Sequence, residues 1–224
     1  MKFLAMKCQN KVDIGFILDS SGSLRSEYQK EKDFIKFLAA RFNMDAEGAR
    51  VGVITFSFFS DISIKFSDFL SQSDFDEAID EIPLMGSTTR LDRALLQARD
   101  ELFLEKNGAR VNVPKVLIVL TDGTQTIDED SLNPGEVADS LRLDGVKLIS
   151  IGIGDKTDRA ELLSIAGKQD NVFIAKDFDV LKSPKFIEEF TEATCREGKS
   201  KHFFVVLYKI LGGCLNLIWM KEIK

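Results

Sequence analysis

The sequence predicts an α/β fold: a doubly wound, mostly parallel six-stranded sheet with one antiparallel edge strand and helices on both faces. Three observations predict it. Short, nearly continuous apolar runs alternate with longer amphipathic stretches, the pattern of buried parallel strands joined by crossover helices. One connection between two such runs is Ser57-Phe58-Phe59-Ser60-Asp61, which admits a hairpin but is far too short for a parallel crossover. The 224 residues, 44% of them hydrophobic, supply one large core plus flanking segments, since a typical domain has about 150 residues.

In chain order, the first strand is expected over 12–18. A helix over 26–41 follows, with Phe34, Ile35, Phe37, Leu38 and Phe42 at helical spacing. Strands over 50–56 and 62–66 flank the hairpin, so the third strand is the antiparallel edge. Ser73-Asp74-Phe75-Asp76 opens a helix over 73–82 with a good N-cap. The second long helix, 91–104, carries Leu95, Leu96, Ala98, Leu102 and Phe103 on one face. A strand over 115–120, a helix over 134–143 and a strand over 147–153 come next. Asp158, with Glu161 three residues on, starts a helix over 159–166 as a variant capping box. A strand over 171–174 and a helix over 183–194 complete the alternation. The composition shifts after Thr194, which divides the chain into an N-terminal flank (1–11), a domain (12–194) and a C-terminal apolar tail (195–224). Most of the 18 phenylalanines are expected in the core; Phe58 and Phe59 in the hairpin loop are expected to pack under the edge strand, the alternative being exposure at a rim that suits partner binding.

Composition narrows the chemistry. With 30 basic against 36 acidic residues and a net charge of -6, nucleic acid is not an expected partner. There is one histidine, His202, and the three cysteines, Cys8, Cys195 and Cys214, are far apart, so no zinc or iron-sulfur pattern exists. Carboxylates and hydroxyls remain, and they suit hard divalent cations such as Mg²⁺.

Functional groups of open α/β sheets gather outside the carboxyl ends of the strands. Asp19-Ser20-Ser21-Gly22-Ser23 follows the first strand, Thr121-Asp122-Gly123 follows the fourth, and Gly86-Ser87-Thr88-Thr89-Arg90 precedes the second long helix. With the first and fourth strands adjacent, Asp19, Ser21, Ser23, Asp122 and one of the neighbouring threonines converge. Two carboxylates in close contact repel. A divalent cation removes the repulsion, and hydroxyls complete an octahedral oxygen shell without adding charge, which leaves the cation electrophilic toward an incoming carboxylate. Arg90 and Asp92 read as a solvated helix start.

Asp-x-Ser-x-Ser (Asp19, Ser21, Ser23), the Gly-Ser-Thr-Thr-Arg-Leu-Asp-Arg-Ala-Leu segment and Leu-Thr-Asp-Gly (Asp122) together resemble the metal-ion-dependent adhesion site of von Willebrand factor type A domains. The resemblance covers 12–194 and implies a Rossmann-like fold. It implies Mg²⁺ or Mn²⁺ held by Asp19, Ser21, Ser23, Thr89 and Asp122, directly or through water. Thr89 is selected by its place five residues before Ala94-Leu95, with Thr88 as the fallback. The last coordination position would take a Glu or Asp of a protein partner. The resemblance to matrix members such as matrilins implies an extracellular adhesion module whose partner is collagen or another matrix or cell-surface protein. The alternative is an intracellular scaffold domain that assembles a multiprotein complex. Flanking cysteines of secreted members commonly pair, which implies a Cys8–Cys195 disulfide and an oxidising compartment and leaves Cys214 over, either free, joined to another chain or foreign to the mature protein.

No enzyme is expected. Position 21 is a serine where an aspartyl phosphatase needs a carboxylate, there is no Gly-x-Ser-x-Gly elbow, and no Walker A sequence occurs. The apolar run in residues 1–7 is only four residues long, 3–6, short of a signal-peptide core of roughly 7 to 15. The apolar stretch 203–220 would span about 27 Å as a helix, against roughly 30 Å of hydrocarbon. Its Lys209 would add about 2.5 to 3.5 kcal/mol at the bilayer centre, so a surface-packed extension is expected rather than a membrane anchor.

Overall fold

A computed structural model describes residues 11–69 and 71–195. Six strands, β1 (Val12–Asp19), β2 (Ala49–Phe56), β3 (Ser60–Ile64), β4 (Lys115–Thr121), β5 (Val146–Ile153) and β6 (Val172–Ala175), form one sheet in the order β3-β2-β1-β4-β5-β6. All neighbours are parallel except β2 and β3. The expected hairpin edge is therefore present, and it starts at Ser60, which shortens the turn to Ser57-Phe58-Phe59. The order reverses between β1 and β4, so their carboxyl ends open the crevice where ligands of such sheets bind.

Alternation along each strand divides the core in two. Ile14, Phe16 and Leu18 of β1 pack with Val51 and Val53 of β2 and with Ile118 and Leu120 of β4 on one face. That face is covered by α1 (Tyr28–Ala39), α2 (Gln72–Glu81), α6 (Phe178–Leu181) and α7 (Pro184–Cys195). Phe186 and Phe190 of α7 stack on each other and meet Phe173 of β6, while Phe34 of α1 meets Phe186, which accounts for several of the phenylalanines. Ile17, Ile54, Leu117 and Val119 face the other way, toward α3 (Leu91–Gln97) and α4 (Pro134–Leu143). The chain leaves α3 through a π-helical turn, Ala98–Leu102, instead of continuing as α-helix to 104. That turn delivers Leu102 to a notch made by two glycines opposite each other in the β1–β2 register, Gly15 and Gly52. A Cβ on either would come within 3.1 Å of a Leu102 methyl group.

The other helices lie close to expectation. The helix predicted over 26–41 begins instead as a 3-10 turn, Gly22–Ser26, before α1. The cap of α2 is Ser71, whose side chain accepts from Asp74 N–H, so the helix starts before Ser73. Asp158 caps α5 (Arg159–Ala166) as expected, but Glu161 turns away to accept from Gln125 N–H. The four-residue α6 was not expected from the sequence. Its cap, Asp177, accepts from both Asp179 N–H and Val180 N–H. Among the described residues no helix is long and apolar enough to cross a membrane. Cys8, and with it the expected Cys8–Cys195 pairing, lies outside the described residues, as does 203–220.

Candidate metal centre

Asp19 is the last residue of β1 and is fully buried. Its Oδ1 accepts Ser21 N–H at 2.9 Å and its Oδ2 accepts the Thr121 hydroxyl at 2.9 Å. The Ser21 and Ser23 hydroxyl oxygens lie 3.0 Å apart, and Ser23 donates to Asp122 Oδ1 at 2.9 Å. The ends of β1 and β4 thus meet in one hydrogen-bonded chain. Adjacent corners of an octahedron with metal–oxygen distances of about 2.1 Å are about 3.0 Å apart. The observed spacings match that edge, so the donor set fits a small hard cation.

Thr89 is brought to the cluster by its loop. Gly86 N–H donates to Ser20 O and Gly22 N–H to Ser87 O, both at 2.8 Å, which lays 86–87 alongside 20–22. From the other side, Ser57 at the end of β2 clamps the same loop. Its hydroxyl accepts Ser87 N–H at 2.9 Å and donates to Thr88 O at 3.1 Å, and its carbonyl accepts Arg90 N–H at 2.9 Å. Thr89 itself exchanges two bonds with Thr126: its carbonyl accepts Thr126 N–H, and its N–H donates to Thr126 Oγ1. The half-buried Thr89 hydroxyl makes no hydrogen bond among the described residues, whereas Thr88 is exposed. Asp19, Ser21, Ser23 and Asp122 are therefore joined by direct hydrogen bonds, and Thr89 lies two residues beyond Ser87, whose carbonyl accepts Gly22 N–H.

The family model of the von Willebrand factor type A domain matches residues 13–188. The chain belongs to the von Willebrand factor type A family. Similar curated proteins include the collagen alpha-6(VI) chain of Mus musculus, 37% identical over 174 residues, which are 77% of this chain and 7% of that one. Matrilin-3 of Gallus gallus is 29% identical over 201 residues, 85% of this chain and 43% of that one. Among solved structures, proximal thread matrix protein 1 from the mussel byssus superposes with a TM-score of 0.74 at 31% identity, covering 85% of this chain and 47% of that one. The form of the same mussel protein with a zinc-occupied metal-ion-dependent adhesion site superposes at 0.73, also with 31% identity. This type A domain spans less than half the length of each of these relatives.

The electrostatics of the domain's candidate site are uncompensated. Burial pushes the Asp19 carboxyl up to about 6, with a smaller push from Asp122, against the hydrogen bonds from Ser21 and Thr121. Directly behind it, Glu31 of α1 is buried. One oxygen accepts Asp19 N–H at 3.1 Å and the other, Oε2, has no hydrogen-bond partner among the described residues. Burial, then the charge of Asp19, holds Glu31 well above the ordinary carboxylate range. The sequence carried a signal for Glu31 that went unread: Tyr28, Phe34 and Ile35 at −3, +3 and +4 place it on the core-facing stripe of α1. Thr121, Ser57 and Thr126 were also missed as supports. Their signal was weaker, since hydroxyl residues at strand ends and in loops are common.

Two expectations for the surroundings are overturned. Arg90 and Asp92 are not a solvated helix start but a buried pair, each 1% exposed, bonded Nε to Oδ1 at 3.0 Å and Nη2 to Oδ2 at 2.9 Å. Arg90 also binds Asp130 at 2.7 Å, because the loop after β4 folds over it. Phe59 does not pack under the edge strand. It is 65% exposed at the hairpin tip, edge-on to Phe58.

Proposed function

We propose that this domain is a divalent-cation-dependent protein-binding module of the extracellular matrix. Asp19, Ser21, Ser23, Thr89 and Asp122 hold Mg²⁺ or Mn²⁺, directly or through water. The coordination position left open takes a Glu or Asp side chain of a partner, collagen or another matrix protein. The observation that carries this reading is the hydrogen-bonded chain from Asp19 through Ser21 and Ser23 to Asp122 at the switch point of the sheet, in which the Ser21–Ser23 and Ser23–Asp122 oxygens have octahedral-edge spacing. The zinc-occupied site of the mussel byssal protein and the kinship to collagen VI chains and matrilin-3 support it.

The cation supplies Lewis acidity toward a carboxylate. The protein's part is to hold the oxygens in place and limit the anionic ligands to two, so that the bound cation keeps affinity for a third. The kinship to structural matrix proteins supports binding rather than catalysis at this site. Calorimetric titration of Mg²⁺ into the wild type and Asp19→Ala tests the site. Saturable binding in the first and none in the second is expected, and equal heats in both would overturn the assignment.

A further inference from the structure

Three loops tied to the candidate metal centre each carry one exposed, bulky apolar side chain. Met85 is 40% exposed, and its N–H donates to Ser20 Oγ at 2.7 Å. Ile127 is 78% exposed and follows Thr126, which bonds Thr89. Phe59, 65% exposed, belongs to the turn whose Ser57 clamps the Thr89 loop. Phe56 is the register partner of Asp19. With strands about 4.8 Å apart and a rise of about 3.3 Å per residue, Phe59 lies within roughly 11 Å of Asp19.

The hairpin tip is held rigidly despite its exposure. Ser57 N–H donates to Phe59 O at 2.8 Å, closing the turn. The Arg93 guanidinium donates to Phe58 O at 2.8 Å and lies 4.4 Å from the Phe58 ring centroid and 5.8 Å from that of Phe59. Asp130 fixes Arg93 in turn at 2.8 Å. An aromatic ring fixed in solvent loses little side-chain entropy on binding, which is the property of an interface anchor. Asp128 and Glu129 are exposed on the loop that carries Ile127. Asp128 is paired with Arg90 at 3.4 Å, and the charge of Glu129, with that of Asp122, repels an extended polyanion such as a sulfated glycan and admits an isolated carboxylate.

We propose that Phe59, with Ile127 and Met85, forms an apolar collar around the metal centre, and that its occupant is a protein loop bearing a single Glu or Asp within about four residues of a bulky apolar side chain that packs on Phe59. This rests on the metal-dependent reading above and adds the partner's second determinant. The test selects a phage-displayed library of disulfide-closed random nonapeptides on the immobilised Mg²⁺-loaded domain, with elution by EDTA.

Eluted sequences should share one acidic residue and a nearby Leu, Ile, Met or Phe. The corresponding synthetic peptides should bind Phe59→Ser at least fivefold more weakly while still requiring Mg²⁺, because truncating an interface anchor costs more than about 1 kcal/mol. Ile127→Ser, on a separate loop, provides a second variant should Phe59→Ser fold poorly. Acidic sequences without an apolar preference, or unchanged affinity in the variants, would overturn the collar and leave the metal reading standing. Sequences that lack an acid, or that EDTA does not release, would overturn both.

Discussion

The buried Arg90–Asp92 pair sets a measurable stability cost. Replacing Arg90 by Met preserves most of the volume but removes the only cation paired with Asp92 among the described residues. The Asp92 carboxylate would then stay buried, with Oδ2 still accepting Leu132 N–H at 3.0 Å. Breaking a fully buried pair from one side costs about 3–5 kcal/mol. The lower end applies here, because Asp130, the other main partner of Arg90, is 66% exposed and can turn to water. A loss of about 3 kcal/mol corresponds to a Tm lower by about 6–12 °C for a domain of this size. The double variant Arg90→Met/Asp92→Leu should recover to within about 1 kcal/mol of the wild type, since an apolar pair replaces the ionic one. In the wild type burial pushes Asp92 up, but Arg90 and the Leu132 N–H outweigh it and hold the carboxyl below its ordinary value, so its contribution is present above about pH 4 and is lost as pH falls through its folded pKa. In Arg90→Met the unpaired carboxylate titrates higher, so the gap to wild type should narrow as pH falls from 7 toward 5. Urea unfolding followed by circular dichroism in EDTA, at both pH values, measures this. A single-variant cost below about 1 kcal/mol, or a gap that does not narrow, would refute the reasoning.

Mg²⁺ at 100 times its Kd should stabilise the domain by about 2.7 kcal/mol, a rise of about 5–10 °C in a thermal melt, and no rise would count against the site. Thr89→Ala should weaken Mg²⁺ binding in calorimetry while Thr88→Ala leaves it unchanged; the reverse ranking would move the ligand to Thr88. Asp19 has a folded pKa raised to about 6, so its protonated form favours the metal-free fold, and that contribution is lost as pH rises through 6. The metal must displace this proton, so Mg²⁺ affinity should fall about tenfold between pH 7 and pH 5, which a flat calorimetric profile would contradict. Gly108→Ala should cost more than about 2 kcal/mol in chemical unfolding. Its φ is +85° and an added Cβ would lie 2.5 Å from Ser67 N, so an unchanged midpoint would show that the backbone yields there.

The strands were legible because strands buried on both faces must be apolar nearly throughout, as 14–18 and 116–120 are. The antiparallel edge was legible from the length of one turn. The candidate-site residues stood out because Asp19 and Asp122 follow the apolar runs of two strands. What escaped the sequence depends on partners distant along the chain. Arg90 and Asp92 are buried because a loop almost forty residues later closes over them. Phe59 is exposed because Arg93 and the Ser57 turn hold it away from the sheet. The π-helical turn answers to Gly15 and Gly52, whose missing side chains become a notch only when β1 and β2 pair. Glu31 and Asp92 were within reach, since each lies on the apolar stripe of its own helix, Asp92 with Leu95 and Leu96 at +3 and +4.

Strand β1 carries its own control for the charge argument. It has a buried aspartate at each end, Asp13 and Asp19, both wholly inaccessible. At the amino end, Asp13 is answered by Arg110, whose Nε lies 2.8 Å from Oδ1 and whose backbone N–H lies 2.6 Å from Oδ2. Asp92 is answered by Arg90 in the same way. The fold therefore places an internal cation where a buried acid serves structure alone. At the carboxyl end, Asp19, Glu31 and Asp122 are grouped together, and none of them joins an ion pair among the described residues. Hydroxyls stand where arginines do elsewhere, and hydroxyls cannot neutralise charge. Either protons or an external cation must do so. Protons hold Asp19 only up to about pH 6. Above that a divalent cation held at the proposed site would supply the balance.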